Sequence, residues 1–524
     1  MGLPNIVRPG RRGPDKAHSG RAEAMTKTGR LVIVSNRLPL KIGGSGENLT
    51  VTPSSGGLVS AMSPVLRDRG GIWIGWTGTS EPVGMKTLRE ILGPASDLAG
   101  YRIFPVRLSK QDVEAFYYGF SNEVIWPLFH DLQTRCRFEP EYWDAYLRVN
   151  RCFARAVAHH TRSEDFIWVH DYQMIPVARI LKESGVKRRC TFFLHIPFPA
   201  PDIFLKLPWR DELLRDLMEY EFLGFQTPRD RRNFTDCLRA LFPGSRISGR
   251  GPIVKASAEG REMRVAAMPI SIDYRSFRTL AKSEKVSEML EGLKRQIPRE
   301  KIVLGVDRLD YTKGIPQRIR AIGEFLKVHH EYRQKFTFVQ IVVPSREDVP
   351  EYHDLREEIE RLVGSVNGEF STPGWVPVHY MYKSIPREEL VAYYRLADVG
   401  LVTPLKDGMN LVAKEYCACQ VDDDGVLVLS EFAGAASQMH RDSILVNPYD
   451  VDGIARAIYA ALIMQTTEKK KRMHHLRAGI RRQNVFWWVD NYLRASTGRT
   501  LVDFPEAEMA PVFHALKRHS RGEI

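Results

Sequence analysis

"GVDRLDYTKG", residues 305–314, closes the apolar run "KIVLGVDR" (301–308) and opens a segment in which Ile315, Ile319, Ile322 and Phe325 share one helical face, with Pro316 in its first turn. This is a strand, a tight turn and a helix, the repeating unit of a parallel α/β sheet. Arg308 at the strand end and Lys313 at the helix entrance set two fixed cations beside unpaired helix N–H groups, an arrangement suited to a diphosphate. A surface ion pair with Asp307 or Asp310 is the other reading. The stretch holds neither GxxxxGK[ST] nor GxGxxG, so the nucleotide-hydrolase loop and the dinucleotide fingerprint do not apply.

The same unit recurs in both directions. Upstream, "LVIVSNR" (31–37), "GIWIGW" (71–76), "DFIWVHD" (165–171), "CTFFLHIP" (190–197) and "FLGFQT" (222–227) read as buried strands alternating with amphipathic segments. Downstream, "FTFVQIVVP" (336–344), "DVGLVTPL" (398–405), "GVLVLSEF" (425–432) and "SILVNPYD" (443–450) continue the alternation. Between the two series, residues 245–275 loosen into Gly, Ser and basic residues ending in "MPISIDYRSF", which reads as the passage between domains. The expectation is two doubly wound Rossmann-like α/β domains, residues 30–270 and 271–480, facing a central cleft bordered by the carboxyl ends of both sheets. "RQNVFWWVDNYLRAS" (482–496) has the spacing of an amphipathic helix, expected within 481–505 to cross back to the first domain; a partner-binding helix is the alternative.

A chain of 524 residues, 43% hydrophobic, is too long for one core. It holds no apolar run of the roughly 20 residues that span a bilayer and no apolar signal core near its start, so a cytoplasmic protein without a membrane partner is expected. The six cysteines form no CxxC or zinc-like cluster and read as reduced, packed thiols. The net charge of +13 raises a nucleic-acid reading, but residues 1–30 carry seven Lys/Arg against two Asp/Glu, a net of +5 that leaves +8 for the rest. Residues 1–29 read as a disordered basic tail, 506–524 as a second tail, and Met25 as an alternative start. The remaining excess fits phosphate ligands, and acidic residues at strand ends argue against a nucleic-acid partner.

Two further stretches carry chemistry. In "TPLKDGMNLVAKEY" (403–416), Gly408 permits a tight turn, Asp407 stands at a helix entrance and Glu415 one to two turns inside it; the carboxylates suit sugar hydroxyls, or else Asp407 is an N-cap and Glu415 a solvated helix residue. In "WVHDY" (168–172) and "FFLHIPFP" (192–199), His170, Asp171 and His195 fall at strand ends facing the same cleft. A metal would need a further ligand at suitable spacing, and none accompanies them.

"SNRLP", "FYYGFSNEVIWPLFH", "WVHDY", "FFLHIPFP", "GFQT", "GVDRLDYTKG", "PSREDVPEY" and "PLKDGMNLVAKEY", in this order from about residue 31 to 490, together resemble the trehalose-6-phosphate synthases, retaining glycosyltransferases of the two-domain GT-B class. The resemblance implies glucose transfer from UDP-glucose to glucose-6-phosphate, with no metal or other cofactor. Carried over by position, Arg308 and Lys313 grip the donor diphosphate and Glu415 the ribose. Asp407 and His195 hold the donor glucose with the N–H groups of Met409, Asn410 and Leu411. Gly57 and Ile385 complete the donor set, Ile385 beside the base. Asp171 and Trp76 line the acceptor sugar, and Arg37, Tyr117 and Arg346, with Trp126 close by, hold its 6-phosphate. The family is thought to react by front-face attack, the departing phosphate oxygen taking the acceptor's proton.

Relatives of the same fold use glycerol-3-phosphate or cyclitols as acceptors, and "SNRLP" with "GFSNEVIWP" are the stretches that discriminate. A metal-dependent transferase would need an Asp-x-Asp at a strand end; "DDD" (422–424) and "DVD" (450–452) match only formally. The donor base and the oligomeric state, a homo-oligomer included, are left open.

Overall fold

The computed structural model describes residues 29–43, 49–53, 57–79, 83–297, 301–346 and 350–497. The basic tail with Met25 (apart from Gly29), residues 498–505 and the second tail lie outside them.

Two sheets organise these residues. The first runs β5 (Arg102–Val106), β4 (Ile72–Trp76), β1 (Leu31–Arg37), β6 (Phe166–His170), β7 (Cys190–Phe193), β8 (Phe222–Phe225), β11 (Arg261–Ala267), β10 (Ile253–Ala258), β9 (Arg246–Ser248). It is parallel from β5 through β11, and β10 and β9 turn antiparallel at its edge. A hairpin of β2 (Leu40–Gly43) and β3 (Thr50–Pro53) stands apart. The second sheet is wholly parallel: β14 (Val378–Tyr382), β13 (Phe336–Val343), β12 (Lys301–Arg308), β15 (Val399–Val402), β16 (Val426–Ser430), β17 (Ile444–Val446). Strands such as Val426–Ser430 are buried along their whole length because helices cover both faces.

In chain order, both sheets begin inside, wind outward to one edge, and return to wind outward on the other side; in the first sheet β9 then takes that far edge, and β10 and β11 come back inward to meet β8. The order reverses between β1 and β6 in the first sheet and between β12 and β15 in the second. At such a reversal the connections leave the neighbouring strands in opposite directions and open a crevice at their carboxyl ends, where ligands of open α/β sheets bind.

Residues 246–267 differ from expectation. They form β9, β10 and β11 of the first sheet rather than a passage between domains, so the crossing is confined to Met268–Asp273. The segment looks loop-like because β10 alternates buried and exposed positions and β9 is an exposed edge.

The helix Val485–Ser496 packs on the first sheet. Tyr492 stacks on Trp168 with ring centroids 3.9 Å apart and donates its hydroxyl to the Phe192 carbonyl (2.9 Å), while Trp488 Nε1 donates to the Met268 carbonyl (2.9 Å). Elsewhere the halves meet across the cleft through Lys406 and Asp131 (2.6 Å), and through the Arg135 guanidinium 4.9 Å from the Tyr311 ring centre.

Candidate active site

Arg308 ends β12, and the chain then makes a single tight turn, Tyr311–Lys313, before the helix Ile315–Val328. Gly314 joins them at φ 66°, where a Cβ would also stand 2.4 Å from the Thr403 carbonyl oxygen, so glycine is required twice over. Neither acidic neighbour pairs with the two cations. Asp307 is taken by Arg318 (2.5 Å), which is fully buried and also donates to Gln340 (2.9 Å), Thr403 (3.1 Å) and the Lys313 carbonyl (3.3 Å). Asp310 meets Arg346 (3.4 Å). Burial works against its charge, but Arg346, Lys313 and Arg308 outweigh burial and hold the Asp310 carboxyl below its usual range. Lys313 instead meets Asp407 across the sheet reversal, Nζ to Oδ2 2.6 Å. Arg308 is exposed, and no hydrogen bond or ion pair engages it among the described residues.

Asp407 follows β15. The helix Leu411–Cys419 starts at Asn410, which adopts φ 72° and turns its amide to Asp407 (3.2 Å) instead of capping. Asp407 is therefore no N-cap, and the first-turn N–H groups have no side-chain cap. Met409 is buried; Glu415, half-buried, accepts from the Tyr394 hydroxyl (3.0 Å), and burial raises its pKa. Leu411 Cδ1 lies 3.2 Å from where a Cβ on Gly57 would stand, so the start of the helix Gly57–Arg69 touches the donor-side helix across the cleft. Ile385, half-buried in the turn after β14, packs against the same apolar cluster as Met409 and Leu411.

On the facing side, Arg37 ends β1 with its guanidinium 4.2 Å from the Trp76 ring centre and 5.1 Å from that of Tyr117. Tyr117 and Trp126 come from a π-helical stretch, Val113–Ile125, and the short helix that follows it. Arg346, at φ 52°, lies 4.5 Å from the Trp126 ring centre and donates to Tyr352, yet its buried Nε has no partner among the described residues. Burial pushes the Tyr117 phenol up, but Arg346 and Arg37 overcome it and bring it down to about 8. Asp171, after β6 at φ 75°, accepts from the backbone N–H groups of Tyr172 (3.1 Å) and His195 (3.2 Å). Burial nevertheless raises it to about 7, against those bonds and the Arg308 charge.

His170 Nδ1 and His195 Nε2 are 3.0 Å apart, and Gln226 Nε2 is 3.5 Å from His195 Nδ1. Burial lowers His195 to about 3 and His170 well below its usual value, so both rings are neutral at physiological pH. The two rings bond to each other. The formal Asp-x-Asp matches have structural partners: Asp423 pairs with Arg477, and Asp450 accepts from the Gly453 N–H (2.8 Å) as an N-cap.

The sequence profile of glycosyltransferase family 20 matches residues 29–497. The chain belongs to this family. A family-20 relative, the trehalose-6-phosphate synthase of Mycolicibacterium smegmatis, is 40% identical over 496 residues, 93% of this chain and 96% of its own. Among solved structures, the chain resembles an alpha,alpha-trehalose-phosphate synthase (UDP-forming) from Burkholderia xenovorans in complex with glucose-6-phosphate: TM-score 0.81, 36% identity, 90% of this chain and 100% of that one. An E. coli structure bound with UDP-2-fluoro glucose has TM-score 0.79 at 36% identity, covering 90% and 99%. The fold is thus GT-B, as in these family-20 structures.

Several residues of this family-20 cleft were not singled out from the sequence: Arg318, Tyr394, Gln226 and Tyr352. Arg318 left a trace, since it falls on the same helical face as Ile315, Ile319 and Ile322. Gly305 left another, because a Cβ there would stand 2.6 Å from Arg318 Nη1.

Proposed function

We propose that this protein transfers glucose from UDP-glucose to glucose-6-phosphate, with retention and without a metal, giving alpha,alpha-trehalose-6-phosphate and UDP. The observation that carries the reading is the pair of separate cationic clusters in one cleft. Arg308 and Lys313, with the uncapped helix start at Asn410, suit a diphosphate; Arg37, Arg346 and Tyr117 suit a single phosphate. A donor and an acceptor that each bear phosphate need two such clusters. Asp171 and Trp76 then meet the acceptor sugar, Asp407 and His195 the donor glucose, and Glu415 the ribose.

As the donor bond breaks, negative charge grows on the leaving diphosphate. Arg308 and Lys313 stabilise that charge more than the ground state, which lowers the barrier. Asp171 faces the acceptor and is partly protonated near neutrality, which makes it a hydrogen-bonding group for a sugar hydroxyl rather than a strong nucleophile. The acceptor's proton goes to the departing phosphate oxygen.

The test is UDP release by the purified protein with UDP-glucose and either glucose-6-phosphate or glycerol-3-phosphate, EDTA present, with products identified by mass spectrometry. Release with glucose-6-phosphate alone, with a disaccharide phosphate as product, is the expected result. Release only with glycerol-3-phosphate, or with neither, overturns it.

A further inference from the structure

Ile270 lies in the crossing between the two sheets, and both of its backbone polar groups are held by buried side chains. Its N–H donates to Gln226 Oε1 (3.0 Å), just past β8, and its carbonyl accepts from Lys414 Nζ (2.6 Å), on the helix Leu411–Cys419. Gln226 is 1% exposed and Lys414 2%. Gln226 also faces His195, and Lys414 immediately precedes Glu415. Lys414 Nζ further donates to Gln438 (2.7 Å), whose amide reaches Gln483 (2.6 Å). No carboxylate pairs with Lys414 among the described residues.

A buried lysine without a counter-charge is expensive, and burial brings Lys414 down to about 7. An apolar side chain would fill the volume at lower cost; only a long polar one reaches the Ile270 carbonyl.

We propose that Lys414 is a positioning residue: by holding Ile270 it ties the donor-side helix to the crossing and, through Gln226, to His195, so that the two sides of the cleft close in register. This rests on the transfer reaction proposed above. Lys414 touches neither substrate in that reading. Its loss should therefore spare binding of UDP to the second half and impair the step that needs both halves together.

The experiment compares full-length Lys414→Met, Gln226→Leu and the double variant with wild type. UDP affinity is read by calorimetry, and kcat and KM for glucose-6-phosphate by UDP release. UDP affinity within about 3-fold of wild type, kcat down at least about 10-fold, and a double variant no worse than the poorer single are expected, because both changes act through one residue. Losses that multiply, or UDP affinity falling with kcat, overturn the proposal, the latter reducing Lys414 to a support for Glu415. If Lys414→Met does not fold, Gln226→Leu alone must still show the selective kcat loss. If wild type itself releases no UDP, the transfer reaction is what fails. The relay is then judged by amide exchange over residues 268–273: UDP should slow exchange in wild type and not in Lys414→Met, and equal slowing refutes it.

Discussion

Replacing Gly408 by alanine probes how tightly the two halves meet. A Cβ at this position would stand 2.0 Å from the His195 carbonyl oxygen and 3.0 Å from Ile196 Cα. Carbon and oxygen settle at about 3.3 Å, so the two backbones must part by roughly 1.3 Å. Neither side can yield alone. Around Gly408, the Asp407 N–H donates to Phe432 (3.2 Å), Gly434 to Asp407 (3.1 Å) and Ala435 to Met409 (2.8 Å). On the other side, the His195 N–H is held by Asp171 (3.2 Å). The separation therefore falls on the cleft, between the donor-side helix and the acceptor-side strand ends. A displacement of about 1 Å costs on the order of 10²-fold in rate, or about 2.7 kcal/mol. The clash is between backbones at the cleft and alters no apolar side chain, so Tm should move by no more than about 3 °C. Initial rates of UDP release and a thermal melt measure both. Activity within about 3-fold of wild type at unchanged Tm would show that the halves need not close this far for turnover. A large fall in Tm would place the clash inside the fold rather than between its halves.

Arg308→Ala should lower kcat by about 10² to 10³-fold with an unchanged circular dichroism spectrum and melt, because no described partner depends on this exposed side chain; a loss of stability in step with activity contradicts the assigned role. A pH series on the acceptor tests Tyr117. As pH rises through about 8, its phenol ionises beside Arg37 and Arg346 and competes for the cations that hold the phosphate, so KM for glucose-6-phosphate should rise. In Tyr117→Phe that alkaline limb should vanish, and its persistence assigns the ionisation elsewhere.

The strands on either side of both sheet reversals were legible because a parallel strand buried on two faces is a continuous apolar run, as in "KIVLGVDR", and because the residue after such a run falls at the cleft. Arg308, Asp171 and Asp407 fall there, whereas Arg37 entered only through the family resemblance. The antiparallel edge β9 to β11 was not, since one face is solvated and its Arg246, Lys255 and Glu262 resemble loop composition. The π-helical winding that presents Tyr117 and Trp126 leaves no period in the sequence. Arg318 was hidden for a different reason: a buried arginine differs from a surface one only in its partners, and Asp307, Gln340 and Thr403 come from three separate strands or strand ends.

In the proposed transfer, fixed cations at two facing sheet reversals carry the reaction with retention, with no metal and no covalent carboxylate. The most direct measurement is proton NMR of the disaccharide phosphate formed from UDP-glucose and glucose-6-phosphate in EDTA. Small vicinal couplings at both anomeric protons, marking an alpha,alpha linkage, are predicted; a large coupling at the transferred glucose, or product only when a divalent cation is restored, would contradict the account.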